Sequence, residues 1–118
     1  MIERVLGAAI AAHAELGPGL FETIYEHALL IELEERGVSA KNQVPINVVY
    51  KGRDLGIGFK ADIIVDGQLL LELKAVEELN DIHMAQVITY LKLLGIKRGF
   101  LLNLNEKLLK DGVKRISI

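Results

Sequence analysis

The chain has 118 residues, of which 51% are hydrophobic and 25% are charged, and its formal net charge is −2. This composition is typical of a compact protein, and the length suits one domain spanning residues 1–118. Cysteine is absent, which excludes disulfides and thiolate metal sites, and no apolar run approaches the roughly 18 residues that a membrane span needs. We therefore expect a cytoplasmic protein without a membrane partner.

The N-terminal part of the sequence predicts two helices, and the C-terminal part is a basic segment. Apolar residues recur at helical spacing from Met1 to Leu16, where Gly17-Pro18-Gly19 ends the pattern. A second helix is predicted from about Leu20 to Arg36, with Gly37 as its C-terminal cap. Residues 92–118 hold seven bases and two acids, so they could contact several phosphates or could simply be solvated surface charges.

Three strands are predicted between the second helix and a third. The first runs from Gln43 to Tyr50 and turns at Lys51-Gly52, and the others cover about 57–65 and 68–75. A third helix starts at Asn80 or Asp81 and is closed by Gly95, followed by strands at about 99–104 and 113–118. The order ααβββαβ(β) predicts an α/β or α+β three-layer sandwich, with a mixed sheet between helices.

The predicted hairpin at residues 59–75 carries three charged residues, Asp62, Glu72 and Lys74, among aliphatic ones. A two-residue turn at Asp66-Gly67 would place Asp62 on the opposite face from the other two, because side chains alternate along a strand. A three-residue loop, Val65 to Gly67, pairs Asp62 with Leu70 and places the three charged residues on one face of the hairpin. One face then carries Lys60, Asp62, Ile64, Leu70, Glu72 and Lys74, and the other carries Ala61, Ile63, Val65, Leu69, Leu71 and Leu73.

Burying two carboxylates and an ammonium group in a sheet is unfavourable unless the charges are compensated. Mg²⁺ would compensate them, since it binds one or two carboxylates and keeps several waters. A plain ion pair between Lys74 and Asp62 or Glu72 is the alternative. Glu22, in the first turn of the second helix, either belongs to the same site or has a structural role, because a carboxylate there also stabilises the helix dipole.

The third predicted helix has a polar stripe formed by His83, Gln86 and Tyr90. The histidines show no metal-binding spacing, and the chain has no phosphate-binding loop or serine hydrolase motif.

Asp62, followed ten residues later by Glu72-Leu73-Lys74 and then by a Gln-x-x-x-Tyr helix, resembles the PD-(D/E)XK nuclease superfamily. Residues Gly19 to Tyr25 match the pattern that names its GxxExxY family, and similar blocks extend along the whole chain. Ala61 stands where the superfamily name has proline, which supplies no ligand.

This resemblance implies a restriction-endonuclease-like fold and a nuclease that uses Mg²⁺ or Mn²⁺ and acts on DNA, with RNA as the less favoured substrate. It implies metal ligation by Asp62, Glu72 and the Leu73 carbonyl, with Glu22 acting directly or through water, and catalytic roles for Lys74, Gln86 and Tyr90. Alternatives are a nucleic-acid-binding module with little turnover and a scaffold, and a homodimer is compatible with the small size. The expected nucleic-acid contacts, lining one side of the cleft, are Lys60, Lys97, Arg98, Lys114 and Arg115.

Overall fold

The computed structural model describes all residues, 1–118, and contains three α-helices and five strands. The helices are α1 (Ile2–Leu16), α2 (Glu22–Glu35) and α3 (Asp81–Leu94). The strands are β1 (Ala40–Tyr50), β2 (Arg53–Val65), β3 (Leu69–Lys74), β4 (Arg98–Asn103) and β5 (Val113–Ser117). None of the helices combines the length and apolarity required to cross a membrane.

The strands form one sheet in the order β1-β2-β3-β4-β5. Neighbouring strands are antiparallel except β3 and β4, which are parallel and are joined through α3. The expected mixed sheet and element order are confirmed, and the one addition is a short 3₁₀ turn at Leu109–Gly112 before β5.

Helices cover both faces of the sheet, which gives the expected three layers. On one face, α1 and α2 bury a 16-residue core that includes Val5, Leu33 and Phe100. On the other, α3 packs Val87 and Leu91 on a smaller core of seven buried residues. Each face of the sheet is therefore apolar, and polar groups buried between the layers need a specific explanation.

The loop between β2 and β3 has an odd number of residues, as expected, but lies one residue further along the chain. Val65 pairs with Leu69, so the loop is Asp66-Gly67-Gln68, and both Asp66 and Gly67 adopt positive φ angles of 51° and 65°. The predicted pairing of Asp62 with Leu70 is wrong, because Leu70 pairs with Ile64. The register changes by two residues, an even number, so even-numbered residues of β2 still pair with even-numbered residues of β3, and Glu72 lies on the face shared by Ile64 and Leu70.

Ala61 was expected on the face of Ile63, and this prediction is wrong. Ala61 packs in the core under α3, whereas Ile63 packs in the core under α1 and α2. The alternation therefore changes at Asp62, opposite Gln43, a residue with an unusual φ of 49° in the middle of β1. A local irregularity in the β1–β2 pair thus coincides with the first charged residue of interest.

The β1–β2 hairpin extends well past the rest of the sheet. Only residues 63–65 of β2 pair with β3, so from Asp62 to Arg53 the only strand that pairs with β2 is β1. At about 3.3 Å per residue, this extension reaches up to about 30 Å from Asp62. We call residues 45–60 the arm; its turn at Lys51-Gly52 was predicted, but the start of β2 at Arg53 was not.

Candidate active site

Two carboxylates lie at the point where β2 separates from β3. Backbone pairing between β2 and β3 ends at Ile63, and from there the two strands are joined by bonds to side chains. The Asp62 amide donates to Glu72 Oε1 at 3.1 Å, and the Leu73 amide donates to Asp62 Oδ2 at 2.8 Å. Each carboxylate accepts a hydrogen bond from the backbone of the opposite strand. The two acidic groups are therefore held next to each other on rigid elements.

Burial and mutual repulsion make this pair costly when both groups are ionised. Glu72 is only 5% exposed, and its pKa is raised to about 8, chiefly by burial and then by the charge of Asp62. Burial also raises the pKa of Asp62, against a hydrogen bond from Leu73 that lowers it. In the absence of a cation, the pair therefore holds a proton near neutral pH.

Lys74 lies near the pair but does not neutralise it. The charge of Lys74 lowers the pKa of Glu72 and of Glu22, which places all three groups in one electrostatic environment. However, the only salt bridge in the chain joins Arg36 to Glu32, far from this site. The alternative of a direct ion pair between Lys74 and Asp62 or Glu72 is therefore wrong.

A buried asparagine fixes the chain just after Lys74. Asn103, on β4 opposite Lys74, is fully buried. Its side chain accepts a hydrogen bond from the Val76 amide at 3.1 Å and donates one to the Val76 carbonyl at 2.9 Å. This pair of bonds holds the segment that leaves β3, and it restricts where Lys74 can point. No pattern in the sequence identified Asn103.

Helix α2 contributes two glutamates to the same end of the sheet. Burial raises the pKa of Glu22, Lys74 lowers it, and the charges of Asp62 and Glu26 raise it further. Glu26, one turn later and 5% exposed, accepts hydrogen bonds from Asn42 Nδ2 at 3.2 Å and Gln43 Nε2 at 2.6 Å. Glu26 was not among the expected site residues, although its spacing of four from Glu22 could have indicated it.

Gln43 connects Glu26 to the carboxylate pair. Its Nε2 donates to Glu26 and also lies 3.4 Å from Asp62 Oδ1. A positive φ at a residue that is not glycine is uncommon in a strand and is found most often at functional sites. The strained backbone of Gln43 directs its amide between two acids, so Gln43 is a site residue that sequence reasoning missed.

The Gly19, Glu22 and Tyr25 pattern has a structural explanation. Tyr25 is almost fully buried, and its hydroxyl donates to the Gly17 carbonyl at 2.5 Å and accepts from the Leu20 amide at 3.1 Å. The loop between α1 and α2 can close in this way because Gly17 and Gly19 have positive φ angles of 73° and 100°. Tyr25 therefore fixes the loop that places Glu22 at the beginning of α2.

Replacing Tyr25 by phenylalanine is expected to lower the free energy of unfolding by about 1–3 kcal/mol, because the Gly17 carbonyl and the Leu20 amide lose their partner. Chemical denaturation of the variant and wild type measures this loss. Tyr50→Phe is the matched control, since Tyr50 is 60% exposed. Equal stability of Tyr25→Phe and wild type would contradict the structural role of this hydroxyl.

Helix α3, on the opposite face of the sheet from α2, brings Tyr90 close enough to the carboxylate pair for their charges to interact, and Gln86 lies one turn earlier on the same helix. Tyr90 stacks on Phe59 of the arm, with ring centroids 3.9 Å apart, and its pKa is raised by burial and by the charges of Glu72 and Asp62. Gln86 Oε1 is buried without a hydrogen-bond partner. His83 instead accepts a hydrogen bond from the Asn80 amide and caps α3, so it is not part of the polar stripe at the site.

The basic residues expected to line the cleft are dispersed. Arg98 pairs with Leu69 at the far end of β3 from Lys74, and Lys97 precedes it, so the expectation that they line the cleft is wrong. Lys114 and Arg115 lie on β5, two strands away from β3, and Arg115 stacks on Phe100. Of the five residues, two lie at the level of the site: Lys60, which is exposed two positions before Asp62, and Lys114, which pairs with Leu101 in the same row as Glu72.

The site offers a cation two neighbouring carboxylates rather than a full set of protein ligands. No three histidine, cysteine, aspartate or glutamate side chains lie close enough together to hold a metal ion. Glu22 is therefore close enough to Asp62 for their charges to interact, but not close enough to complete such a group. Waters or backbone carbonyls would have to supply the remaining ligands.

Comparison with protein families agrees with this geometry. The family model of the PD-(D/E)XK nuclease superfamily matches residues 1–116, which is nearly the whole chain. The chain belongs to this superfamily. No curated protein and no solved structure matches it. PD-(D/E)XK nucleases generally use divalent metal ions, and membership indicates nuclease chemistry on nucleic acid.

Proposed function

We propose that this protein is a Mg²⁺- or Mn²⁺-dependent nuclease with its active site at Asp62, Glu72 and Lys74. One observation carries the proposal: a buried carboxylate, Glu72, and a half-buried one, Asp62, are adjacent and repel each other, and no salt bridge compensates them. Unpaired buried charge is costly, so such a pair is maintained where it has a function, such as binding a cation. Membership of the PD-(D/E)XK superfamily supplies the reaction class.

The residues present fit a magnesium-sized cation. Asp62 and Glu72 would hold it, with the Leu73 carbonyl and water as further ligands, because Mg²⁺ accepts one or two carboxylates and retains its waters. Glu22 would act on that water shell from the first turn of α2. When bound, the cation supplies Lewis-acid activation of a phosphate oxygen and a lower pKa for an attacking water.

The protein's own groups would orient the reactants. Lys74 would hold the attacking water and accept its proton, and Asn103 limits the positions available to Lys74 by fixing Val76. The unpaired Oε1 of Gln86 is a free acceptor for an N–H group of Lys74 or for a water. Tyr90, held against Phe59, would contact the scissile phosphate or its water through the phenol.

A nucleic-acid-binding module with little turnover is the second candidate. The observation that favours it is the absence of three converging metal-binding side chains, since a weak metal site would give weak catalysis. The Gly19-x-x-Glu22-x-x-Tyr25 pattern supports assignment to the GxxExxY family in both cases, because its three residues build and position the start of α2.

A cleavage assay distinguishes the two candidates. Single- and double-stranded DNA and RNA would be incubated with Mg²⁺, Mn²⁺ or a chelator, and we expect cleavage of DNA only with metal. Lys74→Ala is expected to reduce the rate about 10²–10⁴-fold, the usual contribution of a general base. Lys92→Ala, at an exposed position in the last turn of α3, is the matched control. Equal rates for the two variants, or no metal-dependent cleavage by wild type, would contradict the proposal.

A further inference from the structure

The arm stands at the same end of the sheet as the carboxylate pair. Phe59 at its base stacks on Tyr90, and Asp62 follows directly where β2 rejoins the sheet. From there it is a ribbon of two strands with both faces largely open to solvent. Its exposed apolar side chains, each 60–65% exposed, are Val49, Tyr50, Leu55 and Ile57. A ribbon of this kind is stable on its own only marginally, so its extension beyond the sheet indicates a binding role.

The arm is basic although the whole protein is acidic. Residues 45–60 contain three basic residues, Lys51, Arg53 and Lys60, and one acid, Asp54. Asp54 is occupied internally, since its carboxylate accepts hydrogen bonds from Asn47 Nδ2 at 2.9 Å and from the Gly56 amide at 2.7 Å. The three basic residues are all exposed. The arm therefore presents a net positive surface next to an acidic site.

Other basic residues at this end of the sheet lie in the segment after β4 and on β5, where Lys107, Lys110 and Lys114 are exposed. Glu77 and Glu78, between β3 and α3, and Asp81, at the start of α3, add three exposed acids, and Lys97 and Arg98 lie at the opposite end of β3. A phosphate backbone approaching the site would be repelled by the acids near it. Among the basic residues other than Lys74, Lys60 of the arm is the closest in sequence to the carboxylate pair, two residues before Asp62.

We infer that the arm binds duplex DNA by lying in its major groove, which places the neighbouring sugar-phosphate backbone of the DNA at the carboxylate pair. This inference rests on the proposed nuclease function. The major groove of B-DNA admits a two-stranded ribbon, whereas the corresponding groove of duplex RNA is too narrow. Lys51 and Arg53 at the tip contact phosphates, and the apolar side chains contact base edges such as thymine methyl groups. Two basic arms from two copies of the chain would repel each other, so the charges disfavour self-association through this surface.

The test compares two neighbouring pairs of basic residues. Binding to duplex DNA, duplex RNA and single-stranded DNA would be measured in chelator, so that no cleavage occurs, over a range of salt concentrations. Lys51→Gln with Arg53→Gln removes two charges from the arm, and Lys97→Gln with Arg98→Gln removes two exposed charges from the other end of the sheet. We expect the arm variant to bind duplex DNA about tenfold or more weakly at 0.1 M salt, with a salt slope reduced by about 2, and the control variant to match wild type.

The outcomes separate this inference from the proposed function. Failure of wild type to bind duplex DNA, preference for duplex RNA or single strands, or equal effects of both variants would overturn the role of the arm. Sedimentation of both variants is included, and a change from dimer to monomer in the arm variant with DNA binding intact would overturn it too. If wild type cleaves DNA in a metal-dependent way and the arm variant binds DNA as wild type does, the nuclease proposal is supported and the role of the arm is contradicted. DNA binding through the arm without cleavage would support the arm and contradict the nuclease.

Discussion

Metal-free wild-type protein is expected to lose stability as the pH rises from about 5 to about 8, whereas a Glu72→Gln variant is expected to change much less. The pKa of Glu72 is raised from 4.5 to about 8 by burial and by Asp62. Between these two values the folded protein holds a proton that the unfolded chain has released. Stability conferred by this proton is fully present below the unfolded pKa and is lost as the pH approaches the folded pKa.

The expected loss is on the order of a few kcal/mol, since each unit of pKa difference corresponds to about 1.4 kcal/mol. For a chain of this length, this lowers the melting temperature by about 10 °C. The pKa values of Asp62 and Glu22 are also raised, chiefly by burial, so they contribute in the same direction. Glutamine resembles the protonated glutamic acid, and its carbonyl can still accept from the Asp62 amide.

Thermal melts in chelator at several pH values measure this effect. Glu34→Gln, at an exposed position on α2, is the control for the loss of a glutamate far from the site. We expect the control to retain the pH dependence of wild type. If wild type and Glu72→Gln had parallel pH profiles, Glu72 would not be the group that holds the proton, and the carboxylate pair would have to be reconsidered.

Addition of Mn²⁺ or Mg²⁺ is expected to raise the melting temperature of wild type and to leave Glu72→Gln and Asp62→Asn unchanged. At about ten times the dissociation constant, binding contributes about 1.4 kcal/mol, which corresponds to about 4–8 °C for a domain of this size. The shift is expected to be larger at pH 8 than at pH 5, because metal binding must displace the proton that the pair holds.

The informative comparison is with another carboxylate at the same end of the sheet. Glu77→Gln removes an exposed acid from the segment between β3 and α3, and it is expected to respond to metal as wild type does. A metal response that survives in Glu72→Gln would show that the cation binds elsewhere. A wild-type protein that does not respond to either metal would exclude a metal site at the carboxylate pair under these conditions.

The sequence was sufficient to predict the three layers and the convergence of the central charged residues. The reason is parity: any odd-length loop between β2 and β3 pairs even-numbered residues of the two strands, so Glu72 lies on the face shared by Ile64 and Leu70, although the predicted pairing of Asp62 was wrong. Gly95 and Asn80 were also predictable as the ends of α3, because capping depends on local side-chain and backbone chemistry.

Features that depend on long-range packing could not be predicted in this way. Gln43 reaches Asp62 only because of its unusual backbone, and Asn103 acts through a segment 27 residues away in sequence. The placement of Lys97 and Arg98 depends on the parallel register of β3 and β4, which residue composition does not encode. The excess of basic residues in the C-terminal segment therefore did not predict which of them lie close to the site.

The basic residues of β5 can instead be understood from their position at the edge of the sheet. An edge strand has unpaired backbone groups that can recruit a strand from another molecule and start aggregation. β5 is only five residues long and carries exposed Lys114 and Arg115, while β1, at the other edge, contains Pro45, which has no amide to donate. Charge on one edge and proline on the other disfavour edge-to-edge pairing of two sheets, which gives part of the basic C-terminal segment a structural explanation.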